Sequence, residues 1–253
     1  MLRKSIVTVA VLTLAILALS ACNLPERQVS PGESLAPSTP AVNQPATLCS
    51  NQYFPNTTGT TWTYAGSNTV TGEYIRTDTV SSSSTDAFTV NTTLSSIPYS
   101  LTYSCSSAGL TAGDPVSQYA GALLSSPSVP VNVKLTSNSG LTLPANVAPG
   151  DTWQQTADFE ATSQSLNING RFVFDYTATG FENITVPFGT FDALRVDTTI
   201  RVEVSALHVV AGTYTTTSWL VPGVGTIKSE GTSHVSGIDF SDATQLTSYT
   251  PAP

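Results

Sequence analysis

The sequence predicts an all-β fold, mainly antiparallel, and three observations carry that prediction. Apolar and polar residues alternate over long stretches, Ser and Thr supply 71 of 253 residues against 10% charged, and Pro-Gly corners punctuate the chain. These are the marks of pleated ribbons whose wet faces are hydroxylated rather than ionic. Leu194, Val196, Thr198, Ile200, Val202 and Val204 share one parity, and Arg195, Asp197, Thr199, Arg201 and Glu203 share the other. A strand with that pattern buries one face and solvates the opposite one. The same period runs through Phe88-Val90-Thr92-Leu94, Trp153-Gln155-Ala157-Phe159-Ala161 and Phe172-Phe174-Tyr176. Parallel sheets are covered on both sides and read as continuous apolar runs, so the alternation selects an antiparallel sheet.

Turn chemistry sets the corners. In Val186-Pro187-Phe188-Gly189 the proline presets the second position and Gly189 takes the fourth, as a type I turn with a glycine bulge requires. Val221-Pro222-Gly223-Val224 and Ala148-Pro149-Gly150-Asp151 place Pro and Gly centrally, the type II pattern, and both are expected to be hairpin corners. Gly59-Thr60-Thr61-Trp62 and Gly150-Asp151-Thr152-Trp153 echo each other at two strand starts, which suggests two halves built alike. One segment departs from the β pattern. Asp114 and Pro115 signal a helix start, and Val116, Tyr119, Ala120, Leu123 and Leu124 follow at helical spacing before Ser125-Ser126-Pro127 stops it. So short a helix is marginal alone and is expected to dock on the sheet.

The chain begins with Arg3 and Lys4, continues with an apolar run from Ile6 to Leu19, and reaches Leu19-Ser20-Ala21-Cys22. The run is short for a membrane span and has the flanks of an export signal, so residues 1–21 are expected to be removed. Residues 22–47, with five prolines and no aromatic residue, cannot bury enough surface to offset their ordering entropy and read as a disordered tether. Extended, such a tether reaches up to ~75 Å. Residues 48–250 are expected to form one antiparallel β domain. Removing residues 1–21 moves the formal net charge from −8 to −10 and leaves only Lys134 and Lys228 as lysines. No basic patch remains, which excludes nucleic acid as a partner.

Export implies an oxidising compartment in which Cys49 and Cys105 can pair. Cys105 continues the parity of Leu101 and Tyr103, so its thiol is expected on the apolar face. The expected disulfide closes a long loop, worth ~4 kcal/mol in the chain-entropy model. The other reading is two separate buried thiols.

Leu-Ser-Ala-Cys22 resembles the lipobox of bacterial lipoproteins, which implies that Cys22 is acylated and anchors the protein to a membrane. Tyr53-Phe54-Pro55 with Gly59-x-Thr-Trp62, Gly150-Asp-Thr-Trp153, Val186-Pro-x-Gly-Thr-Phe191-Asp-Ala-x-Arg195-Val196 and Trp219-x-x-Pro222-Gly-Val-Gly225-x-x-Lys228 together resemble an uncharacterised group of bacterial surface lipoproteins. Phe188 and Leu220 depart from that group's pattern. The resemblance implies a strongly curved sheet, similar to the half-open barrel of the LolA and LppX lipoprotein-carrier and lipid-binding proteins; the short helix read from its spacing is then expected against or near the concave face. It implies no activity.

Nothing in the sequence reads as a reaction centre. The two histidines, His208 and His234, belong to no nucleophile or metal motif, and Ser233 next to His234 points to the opposite strand face. Asp239 and Asp242 supply two carboxylates where calcium takes six or more oxygens. No metal, no cofactor and no catalytic residue are expected. Asp158 with Glu160, and Asp197 with Arg195 and Arg201, are expected to pair across strands and to solvate the wet face. Trp62, Trp153 and Trp219 each lie near a turn, where a large ring either anchors the core or lines a pocket. With Phe172 and Phe174 they are the candidate lining of a ligand site. The expected role is a non-catalytic monomer held to the cell membrane or outer envelope by Cys22, facing the extracytoplasmic side, with an acyl chain or other apolar ligand on its concave face. The competing expectation is a structural or adhesive surface protein whose concave face is filled by its own side chains.

Overall fold

β-branched and aromatic residues at alternate positions favour pleated strands over helices, and the strands form where the alternation places them. The computed structural model describes residues 47–116, 132–163, 166–204, 209–235 and 238–253. The proposed signal peptide, Cys22 and the tether up to residue 46 lie outside the described residues, as does residue 117 onward of the expected helix. In chain order the strands are β1 Thr61–Asn68, β2 Gly72–Ser83, β3 Ala87–Leu94, β4 Ile97–Ser106, β5 Gly109–Ala112, β6 Asn132–Gly140 and β7 Leu143–Pro144. They continue with β8 Thr152–Ser163, β9 Leu166–Val186, β10 Gly189–Val204, β11 Val209–Val221, β12 Gly225–Val235 and β13 Ile238–Thr250.

All 13 belong to one antiparallel sheet in the order β6-β8-β9-β10-β11-β12-β13-β1-β2-β3-β4-β5-β7. Two meanders, β1–β5 and β8–β13, are joined where the last strand pairs with the first, Trp62 opposite Tyr249. The sheet is not closed: among the described residues no strand ladder links the β5–β7 edge to the β6–β8 edge. Side chains bridge that seam instead. Asn138 Nδ2 donates to the Ala112 carbonyl at 2.7 Å, and Gln155 Nε2 donates to the same carbonyl at 3.0 Å and to Asn138 Oδ1 at 2.9 Å. Thr142 Oγ1 donates to Gln155 Oε1 at 2.6 Å, so the fully buried Gln155 amide is satisfied at both ends.

The sheet curls. In a flat sheet β10 and β4 would lie roughly 34 Å apart at about 4.8 Å per strand, yet Val196 and Leu101 line one cavity of about 260 Å³. Bulges bend the ribbon at Thr63/Tyr64, Val80/Ser82, Arg195/Val196 and Trp219/Leu220. Gly170 permits a close approach: it faces Phe159 across the β8–β9 ladder, and the ring lies over the glycine. A Cβ there would stand 2.8 Å from the Glu203 carbonyl oxygen and run into the Phe159 ring. Gly170→Ala is therefore expected to destabilise by about 1–3 kcal/mol. Gly180→Ala, on the same strand with no atom within 4 Å of its Cβ position, is the matched control and should be neutral. Thermal unfolding of the pair checks the contrast.

The predicted inward parities hold. Leu194, Val196, Thr198, Ile200 and Val202 are buried, as are Phe88, Val90 and Thr92, and Gln155, Ala157, Phe159 and Ala161. They build two clusters. One gathers Trp62, Tyr64, Phe88, Leu194, Ile227 and Leu246 around the Cys49–Cys105 disulfide, and the other stacks Phe159, Phe172, Phe174, Ile200 and Val202. The cysteines do pair, with Cα atoms 4.9 Å apart.

The turns need two corrections. Ala148–Asp151 is the expected turn, with Gly150 at φ 92° and Asp151 N–H donating to the Ala148 carbonyl at 3.1 Å. It is no hairpin corner, because β7 pairs with β5 while β8 pairs with β6 and β9. Gly189 does not form a bulge either: it is the direct ladder partner of Val186, closing a two-residue loop, with φ 157° near the extended range. Val221–Val224 is a hairpin turn as expected, with Gly223 at φ 74° and Val224 N–H donating to the Val221 carbonyl.

Candidate functional site

The concave face is entered by a segment that the sequence marks only as the start of the domain. Cys49 is fixed to β4 through Cys105, Asn51 Nδ2 donates to the Pro144 carbonyl at 2.9 Å, and Asn51 Oδ1 accepts from the Tyr53 N–H at 2.9 Å. So tethered, the segment puts Phe54 against Phe88 and Tyr103, each at 5.1 Å between ring centroids. The expected plug was the helix from Val116 to Leu124. Of it only Val116 is described, buried in the second cluster with its N–H on Asp114 Oδ1. Residues 49–54 are the plug that the structure describes.

Two adjoining cavities remain beside Tyr53 and Phe54. The larger, about 260 Å³, has an aromatic floor in which Trp153 and Tyr176 stack at 5.2 Å and Phe174 continues beyond Tyr176. Trp153 Nε1 donates to the Thr142 carbonyl at 3.1 Å, which fixes the ring. Thr198, Thr216 and Ser218 give this cavity a hydroxylated side.

The smaller cavity, about 210 Å³, is polar at its base. Arg76 on β2 forks onto Asp78, Nε to Oδ1 at 3.0 Å and Nη2 to Oδ2 at 2.7 Å, and Thr92 adds a 2.7 Å bond to Oδ1. The Asp78 side chain is 9% exposed and that of Arg76 38%. The guanidinium lies 5.6 Å from the centre of the Tyr64 ring. Burial is the largest single influence and works against the Arg76 charge, but Asp78, Tyr99 and Tyr64 together outweigh it and raise the group above its ordinary range. Burial also pushes the Tyr64 phenol well above its ordinary range, with Asp78 adding to the shift and Arg76 opposing it.

The structure sorts the candidate lining residues. Trp153 and Phe174 line the larger cavity and Trp62 the smaller. Phe172 does not reach either: it is fully buried between Phe159 and Phe174. Trp219 lines neither cavity and is the buried anchor of the two expected roles: it belongs to the first cluster and lies on the strand face opposite Ser218 and Leu220, both of which line the larger cavity. There Trp219 Nε1 donates to Glu182 Oε2 at 2.8 Å, and Lys228 Nζ stands 4.7 Å over its ring.

Arg76 and Asp78 escaped the sequence reading because alternation alone points them outward. In Tyr74-Ile75-Arg76-Thr77-Asp78-Thr79-Val80 the β-branched Ile75, Thr77 and Thr79 look like the dry face. Val80 and Tyr64-facing Arg76 take the concave side instead, leaving Ile75 54% exposed. The usable signal was Val80, continuous in parity with Asp78 and Arg76.

Of the pairs expected across strands on the wet face, Asp158 meets its ladder partner Arg171 at 2.6 Å, whereas Asp197 meets Arg195 at 2.9 Å on its own strand β10. Arg201 reaches Asp175 at 2.7 Å rather than Asp197. The Trp219 N–H, followed by Arg195, holds the Glu182 carboxyl below its usual range. A carboxyl depressed by folding stabilises above its unfolded value and loses that contribution as pH falls through the folded one. Acidification below about pH 4 is therefore expected to change Trp219 fluorescence, and Glu182→Gln should abolish that acid transition.

His208 and the side chain of His234 lie outside the described residues. Asp242 is engaged by Tyr74, whose hydroxyl donates to it at 2.6 Å. Among the described residues no group of three or more His, Cys, Asp or Glu could hold a metal ion.

Comparison with known proteins gives three findings. Residues 122–235 match the model of a family described as DUF3108-like. That match takes in the Gly150, Val186 and Trp219 motifs and leaves out Tyr53–Trp62. Among solved structures, the chain is similar to a candidate lipoprotein of Parabacteroides distasonis, at 16% identity and a TM-score of 0.48, covering 80% of this chain and 99% of that one. It is similar also to a candidate exported protein of Bacteroides fragilis with a YmcC-like fold, at 12% identity and a TM-score of 0.49, covering 79% of this chain and all of that one. No curated protein matches the chain.

Proposed function

We propose that this chain is a non-catalytic envelope lipoprotein, anchored through Cys22, that holds a small apolar or amphipathic ligand such as an acyl chain on the concave face of its sheet. The observation that carries this reading is the pair of adjoining cavities, about 260 and 210 Å³, which share Tyr53, Phe54, Leu101 and Tyr103 in their walls. Aromatic floor and hydroxylated side together suit a ligand with one dry and one wet end. Each cavity alone is smaller than the roughly 300–1,000 Å³ of a drug-sized ligand site. The ligand is therefore short, or it spans both cavities by displacing a shared side chain. The lipobox and the curved-sheet resemblance support the same address and class.

A second reading keeps one observation of its own. At Phe159 and Phe172, which line neither cavity, the concave face is filled by buried rings, as a structural or adhesive protein with a filled core requires. Native mass spectrometry of the full chain carrying Cys22→Ala, after exposure to a lipid extract, separates the two. A bound lipid mass supports the ligand-holding reading, and its absence favours the filled-core one.

A further inference from the structure

We infer that the concave site selects an amphiphile whose polar end is uncharged, such as the ester and hydroxyls of an acylglycerol, over one ending in a carboxylate or phosphate. The inference rests on the concave-face reading above and adds the chemistry of the ligand's polar end. Arg76 is the only cation and Asp78 the only anion lining either cavity among the described residues. Each neutralises the other: both Asp78 oxygens accept from Arg76, and Oδ1 accepts also from Thr92.

A half-buried ion pair of this kind adds little stability in itself. Its presence on the concave side, where Val90 and Leu101 would otherwise continue the apolar lining, points to recognition. Beyond the pair, the cavity offers Arg76 Nη1, to which no described residue bonds, and the hydroxyls of Ser218, Thr226, Ser229 and Thr244. Hydroxyls both donate and accept, and a guanidinium N–H donates. Ester carbonyls and alcohols satisfy such a lining without adding charge.

An anionic head fares worse for two reasons. It would bring a net negative charge into a chamber already balanced at zero, inside a chain of net charge −8. At Arg76 Nη1 it would stand as a second carboxylate or phosphate beside Asp78, and to pair with the guanidinium fork it would have to displace Asp78, stranding a buried carboxylate.

The experiment is a titration of the full chain carrying Cys22→Ala with monodecanoylglycerol and with decanoate at neutral pH and fixed ionic strength, followed by tryptophan fluorescence. The uncharged probe is expected to bind at least ten-fold more tightly. Asp78→Asn leaves Arg76 uncompensated and should narrow or reverse the ratio, whereas Arg76→Gln should widen it. Decanoate binding as well as the glyceride to the wild-type chain, or a ratio that neither variant moves, overturns the selectivity and leaves the concave-face reading standing. If neither probe binds, the concave-face reading fails and takes the selectivity with it.

Discussion

Phe172→Ala is expected to lower stability by about 3–5 kcal/mol, a large part of the roughly 5–15 kcal/mol that holds a domain folded. Phe172 is fully buried, 5.1 Å from Phe159 and 6.1 Å from Phe174 between ring centroids. Its ladder partners are Ala157 on β8 and Val202 on β10. Both are pinned by backbone hydrogen bonds and neither is long enough to fill the space left by a missing ring, so the void cannot collapse. Urea unfolding should show the midpoint falling with the slope unchanged. A loss under about 1.5 kcal/mol would mean that the neighbours of Phe172 repack freely, and that its ring is not held between Phe159 and Phe174 as tightly as its burial implies.

Loss of the Cys49–Cys105 disulfide is the second large effect. The bridge spans a sequence separation of 56 residues, for which the chain-entropy model gives ~4 kcal/mol. Cys49 is fully buried and Cys105 nearly so, so reduction first requires local opening. The consequence goes beyond stability, because the segment that the bridge fixes carries Tyr53 and Phe54 into both cavity walls. Cys49→Ser with Cys105→Ser should therefore unfold at lower denaturant and also weaken any ligand held on the concave face. Thiol titration of the denatured, unreduced wild-type chain checks the premise: no reactive thiol is expected from this pair, and two would reject the bridge.

Most of the fold is legible in the sequence, for a reason particular to it. Where one face is dry and the other wet, a register slip of one residue would turn every side chain over, so Leu194 through Val202 announce their own orientation. The same period sets Trp153 and Phe174 in the wall of the larger cavity. On the strand of Trp219 it is Thr216, Ser218 and Leu220 that face inward, and such a hydroxylated concave face reverses the usual cue. Arg76 and Asp78 fail the same cue, since two charges normally mark the wet side. The Ala148–Asp151 turn shows another limit. Its type follows from Pro149 and Gly150, but whether the flanking strands pair is decided by the order of the whole sheet, which local chemistry does not encode. The entry of residues 49–54 into the concave face is likewise a long-range event, set by the disulfide, the Asn51 bond to Pro144 and the aromatic contacts of Phe54.

The central claim is that an amphiphile lies on the concave side, with its dry end against Trp153. Quenching by monodecanoylglycerol brominated near the end of its chain tests this directly, using the wild-type chain with Trp153→Phe and Trp219→Phe. Quenching should fall sharply in Trp153→Phe, leaving only what Trp62 in the wall of the smaller cavity reports, and persist in Trp219→Phe, because Trp219 lies on the other face of the sheet. Quenching that survives in Trp153→Phe but disappears in Trp219→Phe would put the ligand on the outer face and contradict the account.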